Sequence, residues 1–132
     1  MPAELQMEHF AINTKDPVAM AAWYCEHLNM SIVRTGPAPG FMHFLADATG
    51  RVVMEIYTNP PELVPDYSAM DPRVLHLAFC VDDIQSTVER LVSAGAENEV
   101  EPFFTPEGDH MAMLRDPWGF CIQFCKRATP MI

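Results

Sequence analysis

Two histidines sit in apolar, strand-like runs, and each is followed seven residues later by an aspartate. They are His9 and Asp16 in "MEHFAINTKD" (7–16), and His76 and Asp83 in "VLHLAFCVDD" (74–83). Two further polar side chains interrupt apolar strands: Glu55 in "VMEIY" (53–57) and Gln123 in "CIQFC" (121–125). Two imidazoles, a carboxylate and an amide oxygen form a donor set for a divalent cation. The carboxylate is also the one acid-base group of the four besides the imidazoles. Each alone has a simpler reading as a polar residue satisfied separately on a solvated sheet face. A shared site requires elements that point all four the same way.

The sequence supplies such elements twice. Residues 7–57 overlay residues 74–125 at an offset of 67 that drifts to 68 or 69 near the end, so that His9 falls on His76, Ala11 on Ala78, Asp16 on Asp83 and Glu55 on Gln123. Each histidine strand runs into a helix. In "DPVAMAAWYCEHLN", Asp16 caps the helix, Pro17 takes its first position and Asn29 its left-handed stop. Met20, Trp23, Tyr24, His27 and Leu28 have the spacing of one buried stripe. In "DIQSTVERLVSAG", Asp83 caps, Ile84, Val88, Leu91 and Val92 form the stripe, and Gly95 stops it. Three strand-like stretches follow each helix, and Asp-x-x-Gly turns at 47–50 and 116–119 separate the last two of each set. The expectation is an α+β chain of paired βαβββ modules: module 1 over about 5–58, a surface linker over 59–72, and module 2 over about 73–127 of a single domain of 132 residues.

Strand parity then sorts the side chains, because neighbours alternate between sheet faces. Phe10 and Ile12, Met54 and Ile56, Leu77 and Phe79, and Ile122 and Phe124 make purely apolar faces for the helices to cover. His9, Glu55, His76 and Gln123 all fall on the other face, beside the small Ala11 and Ala78. Asn13 and Tyr57 share that face, and Asn59 lies just beyond it. These three are the candidate substrate-binding residues; for Asn59, turn entry before Pro60 is the plainer alternative. Gln123 is either a ligand, a group that hydrogen-bonds and orients a ligand, or a substrate-binding group. His43 could reach the same cavity, but its parity is uncertain, and His27 and His110 read as helix-end and loop residues.

Composition narrows the remaining choices. A net charge of −10 argues against a nucleic-acid face and against an anionic membrane surface. No apolar run approaches a membrane span, and no basic start followed by an apolar stretch opens the sequence, so a cytoplasmic protein is expected. The four cysteines form no CxxC pair and are expected to be reduced, mostly buried thiols. No GxGxxG, P-loop or GxSxG occurs.

"HFAINTKDPVAMAAWYCEHLNMSIVRT", "VVMEIYTN", "HLAFCVDDI" and "DPWGFCIQF" together resemble the vicinal oxygen chelate superfamily, which includes glyoxalase I, extradiol dioxygenases and bleomycin resistance proteins. The resemblance implies modules forming an open, curled eight-stranded mixed sheet around a central cavity. It also implies a divalent metal (zinc, nickel, cobalt, manganese or iron) held by His9, Glu55, His76 and Gln123, the four ligand positions of glyoxalase I. Asn59 matches a residue of that enzyme's substrate site, and Glu55 becomes the catalytic group. Two positions depart from glyoxalase I: Gln123 stands where it has a glutamate, and Asn13 where its bacterial forms carry an arginine for glutathione. The reading is therefore a metal-dependent, glyoxalase-like lyase or isomerase acting on a small substrate with adjacent oxygens, rather than a glutathione-dependent glyoxalase I. The alternative is a metal-independent protein that sequesters a small molecule, as bleomycin resistance proteins do. The family also suggests a homodimer, with each site built within one chain or across two.

Overall fold

The computed structural model describes residues 3–132, and the chain divides into two compact units that meet between Pro65 and Asp66. In the first unit the order is β1 (Phe10–Asn13), α1 (Pro17–His27), β2 (Ser31–Thr35), β3 (His43–Ala46) and β4 (Val52–Tyr57). In the second it is β5 (Leu77–Cys80), α2 (Ile84–Ser93), β6 (Glu97–Phe104), β7 (His110–Arg115) and β8 (Cys121–Lys126). Each unit is thus βαβββ, and the eight strands form two four-stranded mixed sheets ordered β1-β4-β3-β2 and β5-β8-β7-β6. In both sheets the first strand of the unit pairs in parallel with its last, and the other pairings are antiparallel; His9 and His76 stand immediately before β1 and β5 rather than within them.

The helix ends follow from local chemistry. Asp16 accepts the Ala19 amide at 3.0 Å with Pro17 in the first turn, and Asp83 accepts the Ser86 amide at 3.0 Å. These bonds satisfy amides that the helix itself leaves unpaired. Asn29 (φ 55°) and Gly95 (φ 109°) take the left-handed conformation just past the two helices. In the first unit Met20, Ala21 and Tyr24 are buried with Ile12, Leu45, Met54 and Ile56. In the second, Ile84, Val88 and Leu91 are buried with Leu114, Ile122 and Phe124. A fully buried leucine such as Leu91 contributes about 1.5–3 kcal/mol.

Three expectations need correction. Val92 is 39% exposed rather than part of the α2 stripe: it lies at the stripe's edge in the final turn. The 59–72 segment is not simply extended over the surface. It forms 3₁₀ turns at Pro61–Leu63 and Tyr67–Ala69, and Tyr67 is buried edge-on against Phe120 at 5.1 Å. Arg115, buried in β7, holds this segment by donating to the carbonyls of Tyr67 (2.8 Å) and Met70 (2.7 Å) while pairing with Glu99 at 3.1 Å. Finally, His110 opens β7 rather than lying in a loop, and its ring stacks on Phe104 at 4.1 Å.

The cysteines are all free thiols. Cys121 and Cys125 are buried, Cys25 is partly so and Cys80 is exposed; burial raises the pKa values of Cys25, Cys121 and Cys125. No helix among the described residues is long and apolar enough to cross a membrane.

Candidate functional site

In the first unit, parallel pairing of β1 with β4 sets Ala11 opposite Glu55 and Asn13 opposite Tyr57. His9, two residues before Ala11, reaches diagonally across, and its Nε2 lies 3.6 Å from Glu55 Oε1. Two donors each about 2.1 Å from a tetrahedral ion stand roughly 3.4 Å apart, so this pair fits a divalent cation. The other ring nitrogen, Nδ1, contacts Glu8 Oε1 at 2.8 Å. A carboxylate oxygen accepts, so Nδ1 is the donor in this contact and Nε2 is the ring nitrogen turned toward Glu55. Phe44 meets the His9 ring edge-on at 5.0 Å and fixes its plane. The Glu55 side chain is 19% exposed, so its oxygens are partly shielded but reachable.

The second unit repeats this pattern with different side chains. Ala78 is opposite Gln123 in the parallel β5–β8 pair, in the register that Ala11 and Glu55 hold. His76, again two residues before the alanine, has its Nδ1 2.7 Å from the Pro72 carbonyl. A carbonyl only accepts, so this ring too is protonated on Nδ1 and offers Nε2. Tethering one imidazole nitrogen to an oxygen orients the ring so that the other can bind a metal. His76 is exposed and Gln123 half-buried. Among the described residues, no three His, Cys, Asp or Glu side chains stand close enough together to hold one ion.

The substrate-binding candidates divide. Tyr57 is half-buried beside Asn13. Asn13 donates to the Pro60 carbonyl and accepts the Asn59 amide, both at 2.8 Å. Its amide thus braces the chain leaving β4, and Asn59, exposed at that turn, is held by its backbone. His43 pairs with Ile56, not Glu55, so it is on the helix-covered face; there its Nδ1 donates to the Phe41 carbonyl at 2.6 Å. Its neighbour Phe44 is opposite Glu55 and takes the place on the site face.

Residues 6–124 match the family profile described as the glyoxalase/bleomycin resistance protein/dioxygenase superfamily. The chain belongs to that superfamily. A search of curated proteins finds no match. Among solved structures, the chain is similar to TnmS3, an antibiotic binding protein from Streptomyces sp. CB03234, at 21% identity and a TM-score of 0.73, covering 97% of this chain and 100% of that one. It is also similar to a glyoxalase/bleomycin resistance protein/dioxygenase family enzyme from Burkholderia phytofirmans PsJN, at 21% identity and a TM-score of 0.70, covering 89% and 95%. A glyoxalase family protein from Enterococcus faecalis gives 24% identity and a TM-score of 0.70, covering 92% and 97%. At these identities the structural likeness speaks for the fold, while the profile match assigns the superfamily.

Proposed function

We propose that the protein is a divalent-metal-dependent enzyme of the glyoxalase-like group, carrying out lyase or isomerase chemistry on a small substrate with two adjacent oxygens. The observation that carries this reading is the His9–Glu55 pair: 3.6 Å between donor atoms, with the second nitrogen of His9 already committed as a donor. The second pair, His76 and Gln123, completes the ligand set when supplied by a second copy in a homodimer. A metal there would polarise the substrate's oxygens and stabilise an enediolate-like charge. With Gln123 neutral, one carboxylate leaves a divalent site at net +1, which favours an anionic substrate. Glu55 is the residue that takes and returns the substrate proton. Tyr57 and Asn59 contact the substrate, and Asn13 positions Asn59 through its backbone amide.

The likeness to TnmS3, whose length is covered completely, favours a second reading: a cavity that sequesters a small molecule without turning it over. Metal analysis with Glu55→Gln separates the two. The enzyme reading predicts bound metal in the wild type and loss of both metal and activity in the variant. Tight ligand binding by metal-free protein, unchanged in Glu55→Gln, supports sequestration instead.

A further inference from the structure

The site face of the first sheet extends past Glu55 to its edge. Antiparallel pairing places Phe44 opposite Glu55, and Arg34 of the edge strand β2 opposite Phe44. Register partners project from the same face, so Ala11, Glu55, Phe44 and Arg34 form one row across the sheet. The ring contact between His9 and Phe44 independently places Phe44 on the side of the candidate ligands. With strands about 4.8 Å apart, the backbone of Arg34 lies roughly 10 Å from that of Glu55.

Arg34 is exposed, and among the described residues its guanidinium has no hydrogen bond or ion pair. Arg73, Arg115 and Arg127 all pair with a neighbouring carboxylate, and Arg51 donates to the Met7 carbonyl. Arg34 is thus exposed with its donors uncommitted on a chain of net charge −10. A guanidinium offers only donors, in a planar fork that matches the two oxygens of a carboxylate or phosphate.

We propose that Arg34 is a specificity-determining residue that binds an oxyanion at the far end of the substrate. The substrate class is then defined at three points: adjacent oxygens at His9 and Glu55, an apolar body across Phe44, and a carboxylate or phosphate at Arg34. The inference rests on the metal-site reading and extends it.

Two hydroxamates test it: benzohydroxamate, a chelator with adjacent oxygens, and its 4-(carboxymethyl) derivative, which carries a carboxylate at the far end of the ring. Their affinities are measured by calorimetry on nickel-loaded wild type and on Arg34→Gln. The wild type is expected to bind the carboxymethyl compound about fivefold more tightly, the order of an ion pair that stays partly in water. That preference is expected to vanish in Arg34→Gln, with benzohydroxamate binding unchanged, and to shrink as salt is raised in the wild type. Equal binding of both hydroxamates to the wild type, or a preference that survives in Arg34→Gln, overturns the role of Arg34 alone. Failure of both to bind nickel-loaded protein overturns the metal reading and this inference together.

Discussion

Gly50 and Gly119 close the two Asp-x-x-Gly turns and have nearly the same backbone, φ 83° and φ 85°. An alanine at either position meets the same left-handed strain, about 1–2 kcal/mol. Their surroundings differ. A Cβ on Gly50 would have no heavy atom within 4 Å, whereas one on Gly119 would lie 2.9 Å from Ser68 Cβ and 3.0 Å from its backbone nitrogen. Ser68 cannot easily withdraw, because Arg115 holds the carbonyls on either side of it and Tyr67 is buried against Phe120. Overpacking of this kind adds about 1–3 kcal/mol. Gly119→Ala should therefore destabilise by about 2–5 kcal/mol, and Gly50→Ala by only the strain. Urea denaturation followed by tryptophan fluorescence reads both variants, since Trp23 and Trp118 report on the two units. Equal losses in the two variants would show that the 66–70 segment is not clamped onto the β7–β8 hairpin, refuting the reasoning.

Two other predictions concern charge. The pKa of Asp83 is lowered, first by the Ser86 amide it caps, and that of Asp109 first by the Ala128 amide. A carboxyl with a lowered folded pKa stabilises the fold above its unfolded value, about 3.9, and loses that contribution as pH falls through the folded value. Stability should be level from neutral pH to about 5 and decline below about 4, with a shallower decline in Asp83→Asn; a parallel decline in that variant would contradict the assignment. Glu8→Ala removes the acceptor on His9 Nδ1 and should weaken metal binding about tenfold in a chelator competition, the low end of such effects because Glu8 is 76% exposed. Unchanged affinity would mean that the 2.8 Å contact does not set the ring's tautomer.

Much of this architecture was legible because the signals were local and doubled. Asp16-Pro17 and Asp83 announce helix starts, and alternation places Glu55 opposite the apolar residues of its strand. Long-range features were less legible. A bulge between Ile32 and Arg34 breaks the alternation of β2, so Arg34 could not be placed on the site face by counting. The parity of His43 and Phe44 became certain only from their register with β4. Tyr67 and Arg115 were missed because proline-rich spacing suggested a free linker. A signal did exist: Arg115 stands where the first copy has Ala46, and a guanidinium in an inward strand position needs acceptors brought to it. Position put Asn13 on the site face, while its hydrogen bonds to Asn59 and Pro60 span 46 and 47 residues and could not be counted from the sequence.

The most direct test of the central claim is metal content, by mass spectrometry, of the untagged wild type, Glu55→Gln and His76→Ala. Reading the histidine and carboxylate positions as one ligand set predicts about one divalent ion per chain in the wild type and little in either variant. A wild-type protein that holds no metal after dialysis against zinc, nickel, manganese and iron(II) would contradict the claim and leave the four positions as parts of a metal-free binding cavity.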